Sequence, residues 1–221
     1  MQITIEKTVA AAPVTGGIPS QRVLELAAMF GLGVDDARSI TIVPRCEIPL
    51  PEAGGIIFIT GPSGSGKTTI LRLIAEQCER REWRVLRFDD LPPLPNPTPL
   101  IDSIGDTLEA ATALLSQAGL GDAFAMLRSP SQLSDGQRCR AKIAQMMSLA
   151  GVERTVILAD EFAATLDRLT AQTISRNLRR WIDRTHHVFI AATTHDDLLE
   201  TLEPDVLIHK GLGDSIEVVT R

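Results

Sequence analysis

Residues Gly61-Pro62-Ser63-Gly64-Ser65-Gly66-Lys67-Thr68 carry the pattern G-x-x-x-x-G-K-[ST]. These residue types at this spacing suit one task, holding the phosphates of a nucleoside triphosphate. The glycines allow backbone conformations that a side chain blocks, so successive N–H groups can turn toward phosphate oxygens. Lys67 is placed to reach the β- and γ-phosphates and the Thr68 hydroxyl to ligate Mg²⁺; Thr69 follows as a further binding candidate. Such a loop needs a buried strand before it and, after it, a helix whose positive end faces the phosphates. Both are legible. Ile56 to Thr60 is a short apolar run, and Lys67 to Arg80 places Ile70, Leu71, Ile74 and Cys78 at helical spacing. A Gly/Ser-rich turn of chance composition is the ordinary alternative, and the two correct flanks argue against it. The loop alone does not choose among kinase, GTPase and ATPase.

Three further segments carry chemistry. Leu133-Ser134-Asp135-Gly136-Gln137 opens a helical stretch, Arg138 to Leu149. A serine and outward-facing N–H groups at a helix start make a second phosphate-facing turn; the ordinary reading is that Ser134 is an N-cap. Val156 to Ala159 is a buried-strand run ending in Asp160-Glu161. Asp160 offers oxygen to a hard cation, through a water, and Glu161 is placed to polarise an attacking water. Acids at the carboxyl end of a strand stand where open α/β sheets bind ligands, although such acids are often only solvated loop residues. Finally, the strand Val188 to Ala192 leads into Thr193-Thr194-His195-Asp196. His195 there can hydrogen-bond a γ-phosphate and hold the water, whereas histidines elsewhere are more often caps or surface residues. His186, His187 and His209 have no such context and receive no role.

The elements that must position these groups alternate strand and helix at both ends of the chain, with a helical block between. That predicts an α/β fold: a P-loop NTPase core with a mainly parallel sheet, a small N-terminal β region and an inserted short helical lobe at about 98–150. Residues 39–221 read as the core domain and 1–38 as an N-terminal extension. In the extension Ile3 and Ile5 can open a strand, Pro13, Gly16, Gly17 and Pro19 read as loop, and Ser20 can cap a short helix ending near Gly31. The five prolines of Leu91 to Pro99 make a stiff connector that is neither helix nor central strand. Leu169 to Arg184 reads as an amphipathic helix, and Val206 to Ile208 with Ile216 to Val219 as a terminal hairpin.

Composition sets the outer limits. A chain of 221 residues with 44% apolar and 23% charged residues is long enough for a buried core and too apolar for wholesale disorder. The net charge of −6 gives no bulk attraction to nucleic acid or anionic lipid, which leaves a local basic patch open. Arg80, Arg81, Arg84 and Arg87 cluster but read as a solvated surface. Cys46, Cys78 and Cys139 are odd in number and widely spaced, against a disulfide framework or zinc site and in favour of a reducing, cytoplasmic setting. No apolar run is long enough for a membrane span, and the first residues lack a secretory pattern. Direct membrane insertion is therefore not expected, and a membrane role would need a separate subunit.

In their order along the chain, the phosphate loop, Leu133–Gln137, Val156–Glu161, Ala164-Thr165-Leu166-Asp167 and His195 resemble ATP-binding cassette (ABC) ATPases over about residues 40–210. They match that family's Walker A, signature, Walker B, D-loop and switch histidine. The resemblance implies that ATP lies on the P-loop of one copy and under the signature turn, Ser134, Gly136 and Gln137, of another. An ATP-dependent homodimer that hydrolyses Mg-ATP is implied, with Lys67, Glu161 and His195 as catalytic residues and Thr68 and Asp160 at the metal. A narrower resemblance, over Asp160–Asp167 and Ala192–Leu198, is to non-transporter ABC-type ATPases found joined to predicted acetyltransferase domains. Two features depart from the pattern. The family's glutamine after the second strand is absent from Phe88-Asp89-Asp90-Leu91, where Asp89 or Asp90 can stand in. Its adenine-stacking aromatic is also missing: the chain has no tyrosine, and Phe30 is the sole aromatic ahead of the strand that leads into the loop. The short lobe favours coupling to an intracellular partner protein; the commonest use of the cassette favours the nucleotide-binding subunit of a transporter. A low-turnover nucleotide-gated module and a small-molecule kinase fit less well, the latter leaving the signature unexplained.

Overall fold

A computed structural model describes residues 1–11, 18–33 and 38–221. A six-stranded sheet organises it, built from β3 (Gly55–Thr60), β4 (Arg84–Arg87), β5 (Thr155–Ala159), β6 (Val188–Ala192), β7 (Val206–Lys210) and β8 (Ile216–Thr220). The strand order is β4-β5-β6-β3-β7-β8. All pairings are parallel except the terminal hairpin β7–β8.

Every residue of β3, β5 and β6 is buried, as strands covered on both faces must be. Their side chains alternate between two apolar layers. Ile56 and Phe58 of β3 point toward one cluster with Ile174 and Leu178, while Ile57 and Ile59 point to the other with Ile70 and Ile74. Each such side chain contributes about 1.5–3 kcal/mol relative to exposure. An uninterrupted apolar run is thus the imprint of two cores rather than one.

The first layer carries α7 (Arg168–Ile182) and the helical lobe: α3 (Leu100–Ser103), α4 (Leu108–Gln117), α5 (Ala123–Met126) and α6 (Asp135–Ala150). The second carries α2 (Lys67–Glu79) and the two-stranded sheet of β1 (Gln2–Ala11) and β2 (Arg38–Pro49). β1 lies inside the segment read as an extension, yet it pairs antiparallel with β2 along most of its length, and Ile3 and Ile5 are buried in the second core. Helix α1 (Gln21–Met29) follows Ser20 and leaves Leu24, Leu26 and Met29 exposed. Pro13, Gly16 and Gly17 lie outside the described residues. A short α8 (Leu199–Leu202) completes the helices.

The arginine cluster at residues 80–87 is not one surface patch. Arg84 donates to the carbonyl oxygens of Ala150 and Leu149 at 2.9 and 2.6 Å, closing the C-terminus of α6 where backbone acceptors have no helical partner. Arg81 is turned onto Gln77, and Arg87 pairs with Glu79 at 2.7 Å. The proline-rich connector is held from the lobe side: Gln145 Nε2 donates to the Pro92 carbonyl at 2.9 Å. No described helix is long and apolar enough to cross a membrane.

Candidate functional site

Parallel strands end together, and this brings distant residues to one edge. The loop after β3 is the P-loop, the loop after β5 begins with Asp160-Glu161, and the loop after β6 holds Thr193 to His195. β6 lies between β3 and β5, and backbone bonds continue past the strands: Thr193 N–H donates to Ile59 O and Phe162 N–H to Ala192 O, each at 3.1 Å.

The P-loop's shape depends on two glycines. Gly61 has φ +141°, and a Cβ there would lie 2.0 Å from the Lys210 carbonyl oxygen of β7. Gly66 has φ +102° and stands at the N-cap of α2; its missing side chain leaves room for Ile42, whose Cγ2 would be 3.0 Å from a Cβ. Only glycine meets both demands without strain. The Lys67 ammonium folds over the loop and donates to the carbonyl oxygens of Gly61 and Pro62 at 2.8 and 3.0 Å. The Ser65 hydroxyl is buried beneath it without a hydrogen-bond partner.

A cavity of about 560 Å³ opens above this loop. Ser63, Gly64, Gly66, Lys67, Thr68 and Thr69 line one wall, and Asp160, Glu161, Ala164, Thr193 and Thr194 the other. Gly61, Pro62 and Ser65 shape the turn without lining it. A second cavity of about 290 Å³ shares Thr68 and Asp160 and adds Asp89, Asp90, Arg72 and Arg87. Carboxylates therefore stand at the end of β4, beside Thr68 and Asp160, where the family pattern has glutamine. Glu161 is exposed with φ +45°, a left-handed conformation that costs a non-glycine residue about 1–2 kcal/mol. Its N–H donates to Asp160 Oδ1 at 3.1 Å, and Ala163 at φ +61° completes the sharp turn.

His195 does not line the P-loop cavity. It lies on an adjoining one of about 130 Å³ with Ala163, Leu166, Arg168 and Asp197, and the two cavities meet at Ala164. The side chain of Asp196, its neighbour, accepts a short hydrogen bond from the Thr60 hydroxyl, tying the loop to the end of β3.

The signature segment is brought to none of these cavities. Ser134 caps α6 in a full capping box: its Oγ accepts from Gln137 N–H at 3.3 Å, and Gln137 Oε1 accepts from Ser134 N–H at 3.0 Å. The ordinary N-cap reading therefore holds. The capping bond uses Ser134 Oγ as acceptor, so its O–H stays available to donate outward. Ser134 and Asp135 are exposed, and Gly136 is half-buried beside Leu166 of the 164–167 turn. Asp135 is drawn to Arg138. Asp167 at the end of that turn caps α7 by accepting from Thr170 N–H at 2.9 Å, and hydrogen bonding from Thr170 holds its carboxyl below the usual range.

Sequence reasoning missed four wall residues. Thr193 and Thr194 were within its reach, since they follow β6 directly. Ala164 was legible only as the first residue of the D-loop match, and Ile42 left no local signal; it enters because β2 brings its side chain against Gly66.

The family described as the AAA ATPase domain matches residues 47–197. The chain belongs to that family. Among other members of the P-loop class, this AAA-family chain is similar to the sulfate/thiosulfate import ATP-binding protein CysA of Acinetobacter baylyi, at 29% identity over 77% of this chain and 56% of that protein. CysA of Thermosynechococcus vestitus is 30% identical over 74% and 56%, and the aliphatic sulfonates import ATP-binding protein SsuB of Delftia acidovorans 35% identical over 65% and 63%. The chain thus spans just over half the length of the CysA relatives. In fold it matches the dimeric post-hydrolysis ATP-binding cassette MJ0796 bound to ADP and Pi, with TM-score 0.58 and 20% identity over 81% of this chain and 91% of that one. In sequence the AAA-family chain is similar to these import ATP-binding proteins, and its α/β P-loop fold is similar to that of the solved cassette.

Proposed function

We propose that the chain binds Mg-ATP and hydrolyses it between two copies of itself. One observation carries the reading. A single cavity joins the phosphate loop to Asp160 and Glu161, while the signature turn lies outside it with Ser134 and Asp135 exposed to solvent. A nucleotide on Lys67 is therefore complete on one side and open on the other, which a second copy's exposed turn can close.

The donors present suit Mg²⁺. Thr68 and Asp160 offer hard oxygens on the wall shared by both larger cavities. Among the described residues no three His, Cys, Asp or Glu gather as a metal cage. That agrees with a cation held by one or two side chains, waters and substrate phosphates. When bound, the ion supplies positive charge against the phosphate oxygens. The protein's share is positioning and electrostatics, since phosphoryl transfer requires little covalent chemistry from side chains. Lys67 leaves the Gly61 and Pro62 carbonyls to meet the β- and γ-phosphates. The backbone N–H groups of residues 63–69 and the N-terminus of α2 add their partial charges. Glu161, aimed outward by its left-handed backbone, orients the attacking water, and His195 reaches the γ-phosphate once the Ala164 wall draws in. Ser134, Gly136 and Gln137 of the second copy donate from the other side.

The finer reading is a cytoplasmic, ATP-dependent homodimer coupled to an intracellular partner protein, of the non-transporter kind whose stretches Asp160–Asp167 and Ala192–Leu198 resemble. The acids at 89–90 and the short lobe support it. The names of the relatives favour a second reading, the ATP-binding subunit of an import system with separate membrane subunits. Phosphate release with Mg-ATP tests the activity: steady turnover that is lost in Glu161→Gln while nucleotide binding survives is expected. Absence of turnover in the unaltered chain together with intact binding points instead to a nucleotide-gated module.

A further inference from the structure

A further cavity lies away from the nucleotide, between the end of α4 and the outer face of α7. It has a volume of about 340 Å³ and is lined by Ser116, Gln117, Asn177, Arg180, Trp181 and Arg184. None of these residues lines the nucleotide cavity.

Arg176, Arg180 and Arg184 recur every fourth residue, so they form one stripe along α7 and past its end, and all three are exposed. None has a carboxylate within ion-pair distance among the described residues. Arg179, one position round the helix, shows the contrast: Asp183 and Asp205 hold it from both sides, at 2.8 Å for Asp205. Arg179 thus belongs to the fold, whereas the stripe is charge with no internal use, on a chain whose net charge is −6.

Two features shape the ligand. Trp181 is half-buried, with its ring 5.0 Å from that of His187, so a rigid aromatic surface is fixed in the cavity wall. Trp beside Arg is the composition of interface anchors. Gln117 supplies the opposite polarity: its Oε1 is buried without a hydrogen-bond donor. Asn177 Nδ2 donates not to it but to the Gln117 backbone carbonyl, at 3.0 Å. A ligand for this site must bring carboxylates or similar anions to Arg180 and Arg184 and also an N–H for Gln117. Inorganic phosphate and a nucleic-acid backbone carry no N–H. A peptide backbone with acidic side chains brings both.

The geometry points to this cavity as the docking site for a short acidic peptide segment of a partner protein, seated on Trp181 and clasped by Arg180 and Arg184. The site is independent of ATP binding, so its failure and that of the nucleotide reading are separable.

The test follows the Trp181 indole N–H resonance, assigned with Trp83→Phe, in the otherwise unaltered chain. Acetylated and amidated hexaglutamate shifts it saturably. Arg180→Ala with Arg184→Ala weakens that binding about tenfold, as two exposed ion pairs should, while melting temperature and phosphate release stay unchanged. The proposal is overturned if the resonance does not move or if the double variant binds equally well. It is overturned too if inorganic phosphate or an oligothymidylate of equal charge moves the resonance at lower concentration than the peptide.

Discussion

Two glycines of the phosphate loop differ in what surrounds them, and alanine should tell them apart. At Gly61 a Cβ would lie 2.0 Å from the Lys210 carbonyl oxygen, 2.9 Å from its carbon and 3.4 Å from its nitrogen. All three are backbone atoms of β7, a strand paired with β3 on one side and β8 on the other. Lys210 cannot swing away either. Its side chain is buried, and its ammonium donates to Gly211 O and Gly213 O at 2.8 and 2.6 Å, although burial pushes its pKa down. The backbones must part by about 1 Å, which as overpacking costs about 1–3 kcal/mol. The positive φ adds about 1–2 kcal/mol once a side chain is present. The sum, about 2–5 kcal/mol, is a large share of the ~5–15 kcal/mol that holds a domain together. In a chain of this size it lowers the melting temperature by roughly 4–20 °C. Gly64 has φ +75° but nothing within 4 Å of a Cβ, so Gly64→Ala bears only the conformational cost, about 1–2 kcal/mol. Thermal unfolding of both variants without nucleotide decides it. A Gly61→Ala protein that melts with the unaltered chain, or a Gly64→Ala protein that loses as much as Gly61→Ala, refutes the close-approach argument.

Other expectations follow from the same geometry. Lys67→Ala abolishes measurable ATP binding by titration calorimetry, because the loop carbonyls that now hold the ammonium offer the phosphates no positive charge; unchanged affinity removes the P-loop assignment. Ser134→Ala costs about 1 kcal/mol through the lost cap; turnover should fall further than a helix cap explains, whereas full turnover in a folded protein reduces Ser134 to a cap. His187 sets a pH dependence. Buried beneath Trp181, it accepts from Thr155 N–H at Nδ1 (3.2 Å) and faces the Gly151 carbonyl at Nε2, an arrangement that requires the neutral ring. Burial lowers its pKa, with Arg84 and His186 adding repulsion. The unfolded ring takes a proton near pH 6.5, the folded ring only lower. Stability from this group is therefore full above about pH 6.5 and lost as pH falls through the depressed folded value. Melting curves across that range should show the loss, and His187→Gln should flatten it; an equal slope in the variant rules His187 out.

The parts of the fold most legible in sequence were those written locally. Thr155–Ala159 and Val188–Ala192 are apolar without interruption, and burial on both faces leaves no other pattern. The P-loop was legible because its chemistry needs consecutive residues. Ser134 was legible twice over, since a capping turn and a phosphate-facing turn use the same serine, and both descriptions remain compatible. What stayed hidden depends on contacts between distant segments. Ile42 is an ordinary strand residue until β2 is laid across Gly66. Arg84 looks like surface charge until the C-terminus of α6 arrives beside it. His187 looks contextless until β5 and Trp181 enclose it. Ile3 and Ile5 suggested a strand, but only tertiary pairing shows β1 joined to β2.

The account rests on a second copy closing the nucleotide site, and light scattering of Glu161→Gln tests that most directly. With Mg-ATP the variant should run at twice its monomer mass, return to monomer when nucleotide is removed, and stay monomeric when Gly136→Arg is added. A Glu161→Gln protein that binds ATP yet remains a monomer, or a dimer indifferent to Gly136→Arg, contradicts it.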